Sequence, residues 1–172
     1  MVTLKSGNIT LDKIKLDDAY DYYLIASNPN ITTSFMLDEV INLEEAKSAV
    51  LEVVNNYEDS EYYYFAIRLD NKLIGVMKSY ESDYLELGYA INEEYWNKGY
   101  ATIALNLATN YFFSINRIKK IILGAFSDNY ASIRVMEKCG YSFVGIKKDE
   151  FYYKGKSRDI VYFVKEKDST NK

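Results

Sequence analysis

Glu94-Tyr95-Trp96-Asn97-Lys98-Gly99-Tyr100-Ala101-Thr102 separates two runs of different period. Before it, Tyr84-Leu85-Glu86-Leu87-Gly88-Tyr89-Ala90-Ile91 is extended and apolar. After it, Ala101, Ala104, Leu105, Ala108, Tyr111 and Phe112 stripe one face of a helix expected from Ala101 to Ile115. The stretch therefore reads as the end of a strand, a tight loop with one glycine, and a helix N-terminus. A helix start carries unpaired backbone N–H groups and the positive end of the macrodipole, which suits an anion. Gly99 lets the backbone approach a phosphate with no Cβ in between, and Lys98 adds a cation. One glycine before a helix is by itself usually only a turn.

Downstream, Ile118 to Phe126 is nearly continuously apolar, as a buried central strand would be. A strand–helix–strand crossover of this length implies that Tyr84–Ile91 and Ile118–Phe126 lie parallel and adjacent. Asp128 or Asn129 caps the next helix, and Gly140 ends it from the C′ position. Tyr141 to Ile146 and Asp159 to Lys165 predict a closing antiparallel hairpin across Lys154-Gly155-Lys156. Upstream, Asp70-Asn71 is a hairpin turn between Glu61–Leu69 and Lys72–Tyr80. Glu81-Ser82-Asp83 then turns into the central strand, giving three antiparallel strands in succession.

Nearer the N-terminus, Asn8 to Leu16 reads as a strand. A helix from Ala19 to Ser27 follows, capped by Asp17 or Asp18 and ended by Asn28-Pro29. Ile31 to Ile41 is left unassigned. Asn42 and Glu45 form a capping box for a helix whose stripe is Ala46, Val50, Val53, Val54 and Tyr57. The pattern predicts one α+β domain with a mixed sheet over residues 1–167, followed by a polar tail at 168–172.

Composition narrows the chemistry. The chain has 172 residues, 48% of them hydrophobic, enough for one sizeable core. A formal net charge of −4 supplies no basic field for nucleic acid. There is no His, which removes Ser–His–Asp and Cys–His catalysis and most zinc sites. The one Cys, Cys139, can form neither an intramolecular disulfide nor a cysteine metal cluster. No apolar run approaches a membrane span and no signal-peptide core opens the chain, so a soluble cytoplasmic protein is expected.

A second motif follows the loop: Asn129-Tyr130-Ala131-Ser132-Ile133-Arg134-Val135-Met136-Glu137-Lys138-Cys139-Gly140-Tyr141. In order and spacing the two motifs resemble the GNAT superfamily of acetyl-CoA-dependent N-acetyltransferases, specifically its RimJ/RimL-like branch. The resemblance runs from about Ile9 to Lys165. It implies the single-domain acyl-CoA N-acyltransferase fold: a twisted, mostly antiparallel mixed sheet with a central splayed parallel pair, flanked by helices. It implies acetyl-CoA as cosubstrate and no metal. The pantetheine arm would lie in the splay as an added strand, held by backbone groups of Tyr89, Ala90 and Ile91. Asn97, Lys98, Gly99, Tyr100, Ala101 and Thr102 would wrap the pyrophosphate, and Asn129 would hydrogen-bond the pantetheine. Relatives usually carry Gln or Arg where this chain has Trp96, although Trp is common in the RimJ/RimL-like branch. Many have Glu where this chain has Ile103, a difference that bears on helix packing rather than cofactor contacts.

The resemblance also implies an amine acceptor, bound by the first helices and the Tyr152–Arg158 hairpin. Relatives acetylate protein N-termini, ribosomal ones among them, or small amines. The assembly implied is a monomer or a homodimer, with no nucleic-acid or membrane partner.

Glu86 and Ser132 are the candidate catalytic residues. Strand alternation puts Glu86 on one face with Gly88 and Ala90, a carboxylate beside two small residues. A solvated sheet face is the plain alternative, and a bulge at Gly88 would change the parity. An amine with a pKa of roughly 10 must lose a proton before attacking a thioester, and a partly buried Glu could take it directly or through water. Asn129 and Ser132 could be no more than an N-cap and a first-turn serine; by the resemblance, Ser132 lies near the thiolate leaving group, with Tyr130 and Tyr141 as substitutes. Cys139 reads as a buried structural thiol, and the Tyr62-Tyr63-Tyr64-Phe65 cluster as strand packing. The competing class is a non-catalytic acyl-CoA-binding domain. Such a binder needs only the phosphate loop, whereas this chain also has Glu86, Asn129 and Ser132.

Overall fold

The computed structural model describes residues 2–35, 39–57, 62–81, 84–115, 117–153 and 155–167. The strand start at Glu61, the turn at Ser82-Asp83, Lys154 of the last hairpin and the 168–172 tail lie outside the described residues. The chain begins with a short hairpin, β1 (Leu4–Ser6) and β2 (Ile9–Asp12), turned at Gly7 with φ 58°. Two short helices follow, α1 (Ala19–Ala26) and α2 (Pro29–Phe35), then α3 (Leu43–Asn55). β3 (Tyr62–Leu69) and β4 (Lys72–Glu81) are joined by Asp70 and Asn71, at φ 47° and 74°. Two consecutive left-handed residues are what a tight primed turn requires. β5 (Leu85–Ile91) leads through α4 (Tyr100–Ser114) to β6 (Lys120–Phe126). α5 (Tyr130–Lys138) then leads to the long hairpin β7 (Ser142–Tyr153) and β8 (Lys156–Glu166).

The strands form one sheet in the order β1-β2-β3-β4-β5-β6-β8-β7, antiparallel throughout except for β5 beside β6. Alternation along each strand divides the interior in two. On one face Phe65, Met77, Leu85 and Leu87 pack with Ala104, Leu105, Ala108 and Phe112 of α4 and Met136 of α5. On the other, Tyr64, Ala66, Val76 and Ala90 pack with Ile25, Ile31, Ala46 and Val50 of α1 to α3. Each of the larger aliphatic, Phe and Met side chains among these contributes about 1.5–3 kcal/mol relative to exposure. The expected aromatic packing is observed: Tyr63 meets Phe112 edge-on at 5.1 Å, while Phe65 is fully buried.

Several expectations are corrected. The first strand ends at Asp12, not Leu16, because Arg68 pulls the following loop onto β3. Its Nε donates to Asp12 at 2.7 Å, its terminal nitrogens donate to both Asp18 carboxylate oxygens at 2.7 Å, and Nη2 also reaches the Lys13 carbonyl at 3.1 Å. Asp18 therefore does not cap α1; besides Arg68 it accepts the Lys15 N–H at 2.7 Å. Asn28-Pro29 ends α1 as expected but also begins α2, with Pro29 at the first helical position, where its missing N–H costs nothing. In the α3 capping box, Asn42 accepts from Glu45 N–H, but the Glu45 carboxylate accepts from Ile41 N–H rather than from Asn42 N–H.

The closing hairpin is longer than the apolar pattern suggested. β7 continues past Ile146 through a bulge at Asp149 (φ 51°), whose N–H donates to the Asp159 carboxylate at 3.0 Å. β8 lies between β6 and β7. Among the described residues no helix is long and apolar enough to cross a membrane.

Candidate functional site

β5 and β6 pair at only two positions, Leu85↔Ile121 and Glu86↔Ile122. Beyond Glu86 they separate, because each keeps its other neighbour: β5 stays registered with β4 as far as Ile91↔Gly75, and β6 with β8 as far as Phe126↔Ile160. The gap opens into a cleft of about 1040 Å³. One end is the loop before α4 and the other is the first turn of α5, so the topology brings both sequence motifs onto one cavity.

The backbone of β5 can be assigned within this gap. Asn92 N–H donates to Ile74 C=O at 2.8 Å just beyond the β4–β5 ladder. Antiparallel pairs alternate, so Ala90 directs its N–H and C=O toward β4. Leu87, Tyr89 and Ile91 direct theirs away from β4; the Leu87 N–H is taken by β6 in the Glu86↔Ile122 pair, and the Leu87 carbonyl and the Tyr89 groups face the gap. This narrows the expected pantetheine edge: Ala90 lines the cleft but spends its backbone groups on the sheet. The Ile91 carbonyl already accepts the Trp96 indole N–H at 2.7 Å, which fixes the loop against the strand end.

The loop itself is built on two left-handed residues, Asn97 at φ 59° and Gly99 at φ 81°. Gly99 is the N-cap of α4, and its carbonyl accepts from Ile103 N–H at 3.1 Å. The N–H groups of Tyr100, Ala101 and Thr102 precede that first helical bond and remain as donors. A Cβ at Gly99 would meet no protein atom within 4 Å, so the glycine borders open space. Lys98 turns back: its ammonium donates to the Glu94 carbonyl at 2.9 Å and sits over the Tyr95 ring. Arg134 and Lys138 also line the cleft, from α5. Their i, i+4 spacing was visible in the sequence, but its relation to the cavity was not.

At the other end Asn129 accepts the Ser132 N–H at 3.1 Å, so the cap is real. Ser132 Oγ lies 3.1 Å from the Tyr89 hydroxyl, and either can be the donor. The sequence reading assigned Tyr89 through its backbone and missed this contact. Strand parity was the available signal, since it puts Tyr89 on the helix α4–α5 face. Burial pushes the Tyr89 phenol well above its ordinary range, with the Ser132 hydrogen bond opposing, so Tyr89 keeps its proton. Tyr141, one proposed substitute, is removed from the cleft: it is buried, paired with Thr109 Oγ1 at 2.7 Å and likewise pushed up by burial. Tyr130 lines the cleft but is exposed. Cys139 is buried beside the Thr102 carbonyl, and burial raises its thiol to about 11, as a structural thiol requires.

Glu86 sits where the strands part, on the α1–α3 face with Gly88 and Ala90, so the expected parity holds and no bulge intervenes. The expected burial does not hold. Glu86 is exposed, because the separating strands leave it at the cleft mouth. Two aromatic rings flank that mouth. The Phe35 ring lies over Gly88, where a Cβ would be 3.6 Å away. The Tyr162 ring lies over Gly124, where a Cβ would be 3.3 Å away. Burial, Glu150 and, more weakly, Glu86 all push the Tyr162 phenol up, which ties Tyr162 electrostatically to the same mouth.

The sequence model of the acetyltransferase (GNAT) domain matches residues 8–142. The chain is 27% identical over 162 residues to the uncharacterized N-acetyltransferase YoaA of Bacillus subtilis (strain 168), covering 91% of this chain and 92% of YoaA. In fold it is similar to the ribosomal-protein-S5-alanine acetyltransferase of Vibrio fischeri, with TM-score 0.84 at 20% identity and 100% of both chains covered. It is also similar to the spermidine N-acetyltransferase of Vibrio cholerae solved with CoA and spermine, with TM-score 0.80, 22% identity, and 94% and 97% covered. With the family match spanning most of its length and the splayed β5–β6 pair at its centre, the chain belongs to the GNAT acetyltransferases and is an N-acetyltransferase enzyme.

Proposed function

We propose that this enzyme transfers acetyl from acetyl-CoA to a primary amine by direct attack, with no covalent enzyme intermediate. The observation that carries the reading is the convergence on one cleft of three elements: the donor-rich start of α4, the edge of β5 beyond its pairing with β6, and a lining that includes both Glu86 and Ser132. The residues present fit the cosubstrate. Pyrophosphate oxygens suit the N–H groups of Tyr100, Ala101 and Thr102, reached over a Gly99 that carries no Cβ. The amide-bearing arm suits the β5 edge at the Leu87 carbonyl and Tyr89, with the Asn129 side chain beside it.

The amine approaches from the Phe35–Tyr162 side. Glu86, being exposed, takes the amine proton through water, while the nitrogen bonds to the thioester carbonyl carbon. As the carbon–sulfur bond breaks, the Ser132 hydroxyl, itself paired with the Tyr89 hydroxyl, hydrogen-bonds the departing sulfur, which leaves as the thiolate and takes a proton from water, while Glu86 returns the amine proton to water. The amine is a protein N-terminus, ribosomal or other, or a small molecule. A pure acyl-CoA binder would have no need of a carboxylate at the point where the strands part.

The test is turnover of acetyl-CoA with a panel of amines by wild type and Glu86→Gln. General acid–base catalysis contributes about 10²–10⁴-fold, so a loss in that range with CoA affinity retained supports the reading. The wild-type kcat/KM should rise with pH, and that limb should move toward the amine's own pKa in the variant. A tenfold loss or less, with an unchanged profile, would reduce Glu86 to an orienting role.

A further inference from the structure

The charges lining the cleft are unequally partnered. Asp128 pairs with Arg158 at 2.6 Å, and Arg134 pairs with Glu137 at 3.2 Å. Lys78 and Glu86 form no ion pair with any described residue. Both lie on the α1–α3 face of the sheet at the acceptor side. The ladder pairs Lys78 with Gly88 and Tyr80 with Glu86, so the two side chains are diagonal neighbours, with Cβ atoms roughly 7–8 Å apart. Lys78 is half-buried, and its ammonium stands 5.9 Å from the centroid of the Phe35 ring, the ring that covers Gly88. A half-buried cation with no counter-ion among the described residues, one ladder step from the carboxylate proposed to meet the amine, is a second recognition point on the same strand pair.

We infer that Lys78 selects the acceptor: the amine acetylated here carries a carboxylate a few bonds from its nitrogen, and that carboxylate is bound by Lys78 while the nitrogen lies at Glu86. The chemistry is that of an amino acid or of a peptide N-terminus followed by an acidic side chain. Polyamines fit poorly, because their second ammonium would meet the Lys78 charge, and like charges at close quarters are disfavoured. This inference rests on the acetyltransferase reading of the cleft.

The experiment compares kcat/KM at saturating acetyl-CoA for butylamine, γ-aminobutyrate and putrescine, each corrected for its free-amine fraction. A second arm uses the amidated peptides Ala-Glu-Gly-Phe and Ala-Gln-Gly-Phe. The charge-assisted bond sets the expected preference for the anionic member at about tenfold over its neutral match, with putrescine lowest. The arm with the larger ratio identifies a free or a peptide acceptor. Lys78→Met, which keeps the stem over Phe35, should shrink the ratio to about twofold or less, while Lys78→Arg should keep it. Preference for putrescine, or a ratio unmoved in Lys78→Met, overturns the inference and leaves the acetyltransferase reading intact. No turnover of any amine by an enzyme that binds CoA overturns both.

Discussion

Gly99 offers the sharpest separation of backbone strain from ligand contact. Its φ of 81° and ψ of 0° lie in the left-handed region, where a non-glycine residue costs roughly 1–2 kcal/mol and Asn the least. A Cβ there touches no protein atom within 4 Å, so no clash adds to that cost. Gly99→Ala and Gly99→Val should therefore fold with stability lowered by about that amount, and Gly99→Asn with much less. All three put a Cβ into the open space that the proposed reading gives to the pyrophosphate. Losing one charge-assisted bond to a backbone N–H costs about 1.5–3 kcal/mol, or at least about tenfold in affinity. Titration calorimetry should show CoA binding weakened to this extent in all three variants, including the nearly unstrained Gly99→Asn. Binding of acetyl-pantetheine, which lacks the pyrophosphate, should be equal in wild type and variants. Unchanged CoA affinity in folded Gly99→Val would refute the phosphate assignment. Weakening confined to Ala and Val would show that strain, not the ligand, was being measured.

Tyr89→Phe should lower turnover by about tenfold with CoA affinity near wild type at neutral pH, and should raise the pKa of the enzyme-bound CoA thiol as read by thiolate absorbance; an unshifted thiol would dissociate Tyr89 from the leaving group. Arg68→Met leaves Asp18 buried without its partner, so urea denaturation should show a loss of about 3–5 kcal/mol, and a loss under 1 kcal/mol would mean the cluster contributes little. The Cys139 thiol is raised from 9.0 to about 11 and the Tyr57 phenol from 10.0 to about 12, both mainly by burial. Raised values favour the neutral forms in the fold, so their stabilisation is complete below pH 9 and is lost as pH rises from 9 to 11 for Cys139 and from 10 to 12 for Tyr57. Denaturant midpoints should fall through those windows, with Cys139→Ala lacking the earlier one, and a flat curve between pH 9 and 11 would contradict the burial assigned to the thiol.

What could be read from sequence was what local chemistry dictates. The Asp70-Asn71 turn, the Asn42 and Asn129 caps and the Gly140 terminator each follow from side chains within a few residues of one another, and the parallel crossover from the length of the strand–helix–strand unit. Strand alternation likewise placed Glu86 on the correct face. The misses share a different origin. Asp18 looked like a helix cap because its true partner, Arg68, is fifty positions away in sequence. β7 looked finished at Ile146 because Lys147-Lys148-Asp149-Glu150 breaks the apolar alternation, and only the Asp159 contacts explain why the strand continues. Glu86 was expected half-buried because alternation gives the face and not what covers it. The hydrogen bond from the Lys98 ammonium to the Glu94 carbonyl is likewise not something that proximity in the chain reveals. Lys78 and Tyr89 gain their meaning from β4–β5 register and from the position of α5, neither of which a local pattern contains.

The gap between β5 and β6 follows from this long-range order. Two parallel strands with apolar faces would ordinarily continue their ladder. Here each is held on its far side along its length, β5 by β4 and β6 by β8, and the twist of the sheet carries those outer partners apart. Gly88 and Gly124 place no side chains across the opening, and Phe35 and Tyr162 occupy the room they leave. The Trp96 indole takes up the Ile91 carbonyl, so the strand end is satisfied without β6. What remains is a stretch of β5 edge, the Leu87 carbonyl and the Tyr89 backbone, that faces a cavity rather than a strand. Such an edge invites pairing and is costly to leave to chance. A ligand with amides spaced along an extended arm satisfies it as another strand would. Glu86 and Lys78, which form no ion pair among the described residues, would then decide what approaches the end of that arm.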